Sequence, residues 1–248
     1  MTVVLVHGNP ESAAIWGPLI GELGRDDVIT LSPPGFGAPL PDDFPATFHA
    51  YRDWLEAQLE ALGEPVDLVG HDWGGGHVLN LVMHRPELVR SWVSDIVGVL
   101  DQDYVWHDLA QVWQTPGEGE QMVEDFLGGT PEERAALYAT AGMPTDVGLL
   151  IAEAQGPDMG RAILALYRSA RQPAMAEAGQ ALENARARPG LSILATDDPY
   201  VGSEEIRRRA AERAGARTEV LDGLGHWWMV QDPARGAEVL TRFWGSLH

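Results

Sequence analysis

The 248-residue sequence predicts an α/β fold, a mostly parallel sheet with flanking helices and an inserted helical segment. Three observations lead there. Short β-branched runs alternate with amphipathic stretches, as they do where crossover helices join parallel strands. The alternation stops over one long interval and then resumes. A Gly-x-Asp-x-Gly turn also joins one apolar run directly to a helix start.

Taken in order, the apolar runs place strands at Thr2–Val6, Val28–Leu31, Val66–Val69, Ser91–Ile96, Leu191–Ala195 and Thr218–Leu221. Helical spacing appears between them, over Ala13–Leu23, Phe48–Leu62, Gly75–His84, Glu204–Ala214 and Pro233–Trp244. In the second of these Phe48, Tyr51, Trp54, Leu55, Leu59 and Leu62 fall on one face, which that helix should bury. Residues 101–188 hold no convincing strand. Helical pieces rich in Trp, Tyr, Met and Ala are separated there by Pro116-Gly117, Gly128-Gly129 and Gly142-Met143-Pro144. Because the flanks resume one sheet, residues 1–100 and 189–248 read as a single core. Residues 101–188 read as a helical cap over its C-terminal edge, where α/β folds bind ligands.

Composition narrows the function. With no cysteine there is no disulfide framework, thiolate zinc site or cysteine nucleophile. The 17 basic and 37 acidic residues give a net charge of −20 and no basic patch, so a nucleic-acid partner is not expected. No apolar run reaches the length of a membrane span, and the chain opens on a strand rather than a signal peptide, so a cytoplasmic protein is expected. No HExxH or other metal-binding constellation is evident.

The chemistry concentrates at Gly70-His71-Asp72-Trp73-Gly74, between an apolar strand and a helix. Such a turn pushes its central side chain into a site, and its small neighbours let strand and helix approach closely. Asp198, before Pro199, ends a later strand, and His226 sits in the glycine loop after the last strand. The order of nucleophile, acid and histidine is the one this arrangement requires. His7-Gly8-Asn9-Pro10 closes the first strand, where a loop supplying an oxyanion-hole N–H belongs. The bland readings are a structural turn acid for Asp72, a core histidine for His226 and inter-helix packing for Trp106 and Trp113.

These motifs, with Glu11-Ser12, Asp198-Pro199 and Gly225-His226-Trp227, resemble the epoxide hydrolase and haloalkane dehalogenase branch of the α/β-hydrolase superfamily. The resemblance covers essentially the whole chain and implies an α/β-hydrolase fold. One departure is that the two antiparallel strands usually preceding the first strand are absent, which leaves an edge through which a homodimer could pair. The resemblance implies that Asp72 forms an alkyl ester with an electrophilic sp³ carbon and that His226 activates the water that hydrolyses it. Asp198 orients His226, with Asp95 the alternative acid. Backbone N–H groups of Asn9 and Trp73 form the oxyanion hole. No metal or organic cofactor is needed, and the partner is a small apolar substrate.

The leaving group divides the branch. Tyr167 in Leu166-Tyr167-Arg168 resembles the tyrosine that protonates an opened epoxide, with Tyr104 or Tyr138 as a second donor. The Asn9 amide and Trp73 indole resemble a halide-binding pair instead. Trp106 and His107 are further candidates to line the pocket. Pro10-Glu11-Ser12 and Gly70-His71 also look more like epoxide hydrolases, so epoxide hydrolysis leads, dehalogenation is the alternative, and a non-catalytic ligand-binding homologue is the reading from another class.

Overall fold

The computed structural model describes residues 1–247. Six strands form one sheet: β1 (Val3–Val6), β2 (Val28–Leu31), β3 (Val66–Gly70), β4 (Val89–Ser94), β5 (Gly190–Ala195) and β6 (Ala216–Leu221). All are parallel, in the order β2-β1-β3-β4-β5-β6, so β2 and β6 are the edges. The helices are α1 (Gly17–Leu23), α2 (Phe48–Leu62), α3 (Trp73–Val82), α4 (Asp108–Gln114), α5 (Glu118–Leu127) and α6 (Pro131–Thr140). They continue with α7 (Thr145–Glu153), α8 (Pro157–Ser169), α9 (Ala174–Ala178), α10 (Glu204–Arg213), α11 (Trp228–Gln231) and α12 (Pro233–Gly245).

Period-two alternation divides the core between the two faces of the sheet. Val4 and Val6 pack with Leu55 and Leu59 of α2 and Val78 of α3. Val3 and Leu5 pack with Leu19 of α1 and Leu240 and Phe243 of α12. Of the fully buried strands β1 is an unbroken apolar run, while β3 carries Asp67 and β5 Ser192. Helix α2 begins and ends as its spacing predicts. Thr47 accepts the N–H of Ala50 at its start, and Gly63 at φ 74° closes it in the left-handed region.

Expected bounds shift by about two residues at α3, β4 and β6, and one expected helix is divided. The stretch from 13 to 23 is a 3-10 turn (Ala13–Trp16) followed by α1, because Pro18 lacks the N–H needed to continue one helix. Strand β4 ends at Ser94 rather than Ile96, since the Asp95 carboxylate turns away to accept the backbone N–H of Asp72. Between 101 and 188 every regular element is helical, α4–α9 plus one 3-10 stretch over Gly179–Ala187. No helix among the described residues is long and apolar enough to cross a membrane.

The tightest packing lies where β1, β3 and α3 meet. A Cβ on Gly74 would stand 2.1 Å from the Val6 carbonyl oxygen, and one on Gly70 would meet the backbone of Gly74 and Gly75 at 2.5 Å. Neither obstacle is a flexible side chain. Gly74→Ala should therefore destabilise the protein by about 3 kcal/mol or more, read as a lowered urea midpoint. An unchanged midpoint would mean that β1 can move away from α3.

Candidate active site

Asp72 directly precedes α3 with φ 49° and ψ −130°, a strained backbone for a residue other than glycine. The strain directs its carboxylate at the loop after β1, where a Cβ on Gly8 would collide with it at 2.3 Å. That glycine lets the loop close in, and the Asn9 backbone N–H donates to Asp72 Oδ1 at 2.9 Å. The other oxygen, Oδ2, lies 3.7 Å from His226 Nε2. His226 Nδ1 pairs at 2.8 Å with Asp198 Oδ2, and Asp198 Oδ1 accepts the Tyr200 N–H at 2.9 Å. Asp197 is exposed, and its carboxylate accepts the Thr196 hydroxyl within its own turn.

Asp95, the alternative acid, is committed elsewhere. Its Oδ2 pairs with His71 Nδ1 at 2.5 Å and accepts the Trp228 indole N–H at 2.8 Å. The His71 ring stands beside that of His226, with centroids 4.6 Å apart. His71 Nε2 meets Glu11 Oε1 at 3.1 Å, and Trp227 Nε1 donates to the same oxygen at 2.5 Å. Glu11, His71 and Asp95 thus form a buried acid–imidazole–acid row beneath Asp72. The sequence quotes Glu11 in a motif but gives it no role. Nothing local shows that an acid five residues past a strand will be fully buried.

Charge follows from this packing. Burial alone would lower the His71 pKa, but the carboxylates of Glu11 and Asp95 hold it well above the usual imidazole value. Glu11 answers with a lowered pKa despite its own desolvation, mainly through His71. Burial pushes Asp72 up to about 6, against the pull of His226 and His71. Burial likewise opposes protonation of His226, yet the Asp198 carboxylate leaves its pKa raised. The donor atoms of Glu11, His71 and His226 lie within 4.8 Å of one another, close enough for a metal ion. Both His71 nitrogens are already paired with carboxylates, an arrangement that suits a proton better than a metal.

A cavity of about 280 Å³ opens over Asp72 and His226. Its walls are mostly apolar, with Leu109, Trp113, Phe126, Leu137 and Trp227 joined by Asn9, His107, Tyr138, Tyr167 and Tyr200. Of the candidate donors, Tyr167 is at the centre. The Asn9 side-chain amide donates to its hydroxyl at 3.3 Å, and burial holds its pKa well above the usual value, hydrogen bonding from Asn9 and Trp73 partly opposing. His107 lines the cavity with its Nδ1 accepting the Ala110 N–H at the start of α4, and burial lowers its pKa to about 4.

Three expectations are corrected. Tyr104 is not a cavity donor: its hydroxyl bonds the Tyr200 carbonyl at 2.7 Å, and its ring packs edge-on against Trp106. Trp106 does not line the cavity either, since its indole N–H bonds the Ala170 carbonyl and its ring stacks on Trp73. Tyr138 lines the cavity, but its hydroxyl donates to the Pro10 carbonyl at 3.0 Å and accepts from Gln155, so it is not a free proton donor. Helical spacing could place these aromatics in packed helices but could not say which ring faces the cavity.

Residues 3–239 match the model of the Alpha/beta hydrolase family. The chain belongs to that family. As a family hydrolase it is 27% identical to a haloalkane dehalogenase of Bradyrhizobium diazoefficiens, over 94% of this chain and 83% of that one. A haloalkane dehalogenase of Mycolicibacterium smegmatis is 38% identical over 49% of this chain, which spans only 42% of that relative. Among solved structures, the haloalkane dehalogenase DbeA from Bradyrhizobium elkani superposes with TM-score 0.74 at 22% identity, covering 98% and 90% of the two chains. E-2-(acetamidomethylene)succinate hydrolase superposes with TM-score 0.75 at 19% identity, covering 99% and 91%. Likeness at these identities establishes the shared fold, the hydrolase sheet and its helices.

The His71 row has a pH signature. A folded-state pKa raised above the ordinary 6.5 contributes stability that is complete below that value and is lost as pH rises through the folded pKa. The stability gap between wild type and His71→Gln should therefore be widest below the ordinary imidazole pKa and narrow as pH rises through the raised folded-state value, as read from urea midpoints. A constant gap would mean that His71 is neutral in the folded protein.

Proposed function

We infer that the protein hydrolyses a small apolar electrophile through an ester of Asp72, with an epoxide as the substrate its site favours. The observation that carries this reading is the Tyr167 hydroxyl. It accepts the Asn9 amide N–H, which leaves its own O–H free to donate into the cavity that Asp72 lines. A neutral phenol held there suits a leaving group that departs as an alkoxide and needs a proton.

Asp72 Oδ2, the oxygen not held by Asn9, attacks the ring carbon. The ring C–O bond breaks, and the released alkoxide takes the Tyr167 proton. Oδ1 becomes the ester carbonyl oxygen, already beside the Asn9 N–H, where the oxyanion of the second step will form. His226, oriented by Asp198, takes a proton from water as that water attacks the ester carbon. Collapse releases the vicinal diol and restores the carboxylate, and the proton on His226 returns through solvent to Tyr167. Alkylation also removes the Asp72 charge that helped hold the proton on His226, so the base is freed at the step that uses it. The helices between 101 and 188 act as the cap that supplies Tyr167 and the apolar wall.

Dehalogenation is the second reading. Relatives carrying that name support it, and so does the Asn9–Trp73 pair beside Tyr167. In this reading the N–H donors hold a departing halide and no proton is transferred.

Intact-mass analysis of His226→Ala separates the two. Exposure to a small aromatic epoxide should add the whole epoxide mass at Asp72, whereas dehalogenation predicts the alkyl group of a bromoalkane without its bromine. Tyr167→Phe should slow epoxide adduct formation by about 100-fold and leave any bromoalkane alkylation nearly unchanged. If neither probe adds mass, Asp72 is not a nucleophile toward these classes. A pH series gives an independent check. Because Asp72 must be ionised, wild-type alkylation should slow as pH drops through about 6. In His226→Ala, which lacks the neighbouring cation, the midpoint should move higher.

A further inference from the structure

The Pro10 carbonyl accepts two hydrogen bonds from the helical region, one from the Tyr138 hydroxyl of α6 at 3.0 Å and one from Gln155 Nε2, just after α7, at 2.8 Å. Gln155 also donates to the Tyr138 hydroxyl, so the two side chains form one clamp. Pro10 directly follows Asn9, whose backbone N–H holds Asp72 Oδ1. On its other side the loop is fastened by Glu11, which accepts the Gly8 N–H at 3.3 Å. The proline ring fixes φ of Pro10, removing one of the few torsions that separate this tethered carbonyl from the Asn9 N–H.

We propose that Gln155, with Tyr138, is a positioning residue that sets the oxyanion-hole N–H of Asn9 through the Pro10 carbonyl, tying the α6–α7 helices to the hydrolytic half of the reaction. The oxyanion role of Asn9 rests on the ester reading, whereas the clamp on its N–H does not. Arg134 separates this role from general packing. It binds the carbonyls of Leu127 and Gly129 at 3.0 Å and of Ala152 at 2.9 Å, holding α6 and α7 together without touching Pro10.

The test compares Gln155→Leu, which removes the donor at similar size, with Arg134→Gln. Amide hydrogen exchange of Asn9, followed by NMR without substrate, should quicken about tenfold in Gln155→Leu and stay at the wild-type rate in Arg134→Gln, which should only lower the melting temperature. During turnover of the epoxide probe, Gln155→Leu should build up the Asp72 ester and lower kcat about tenfold, with substrate capture unchanged. Outright loss of an oxyanion donor costs roughly 100- to 1000-fold. Wild-type exchange at Asn9 in a folded Gln155→Leu would overturn the proposal, as would equal quickening in Arg134→Gln. Quickened exchange in Gln155→Leu alone, with no ester formed even in His226→Ala, would uphold the clamp and bring down the ester reading instead.

Discussion

The close approach of β1, β3 and α3 around a strained aspartate is the constraint on which the rest of the site depends. Asp72 can hold φ 49° only because the backbone on both sides is packed too tightly to relax. Gly70 and Gly74 allow the helix to start against the sheet, and Gly8 lets the next loop reach the carboxylate. Remove that proximity and the Asn9 N–H no longer meets Oδ1, nor does His226 face Oδ2. On the proposed ester route, a carboxylate held so firmly would have little freedom to lose on reaching a transition state.

Beneath this turn the protein buries an unusual amount of charge. Two carboxylates flank one imidazole, and the indoles of Trp227 and Trp228 each donate to one of the acids. Buried charges are costly unless their hydrogen-bonding capacity is met, and here both ends of the row are met. The Asp72 backbone N–H is also fastened to this row through Asp95 Oδ1. The row therefore serves as a foundation for the turn. His226 pairs with Asp198 instead, so two acids following adjacent strands hold two different histidines.

Much of the architecture was legible from residue order. Short β-branched runs marked all six strands, although only the inner four are well covered and the edge strand β6 carries Arg217 and Glu219. Thr47 and Gly63 bound α2 because each satisfies a helix end in its own way. The turn around Asp72 could be read because only glycine tolerates such contact at Gly70 and Gly74. Legibility ended where distant loops choose partners. Glu11 is followed by an ordinary serine cap, and its burial depends on His71 sixty residues later. Gln155 carries no local mark, and only the folded chain brings it to Pro10. Tyr104 and Trp106 went astray because a helical face says what is buried, not whether it lines a cavity or a core.

The unequal treatment of the two Asp72 oxygens has a consequence for where atoms go. Oδ1 is anchored by Asn9, while Oδ2 faces His226 and is the oxygen that would attack on the proposed route. In an ester pathway the alcohol departs carrying the oxygen that attacked, and water refills the vacancy. Oδ2 is then replaced in every cycle, and each product molecule leaves with an oxygen that belonged to the protein. Oδ1, pinned in place, stays for the life of the chain. The side chain would be half permanent fixture and half relay, passing solvent oxygen to product one turnover late.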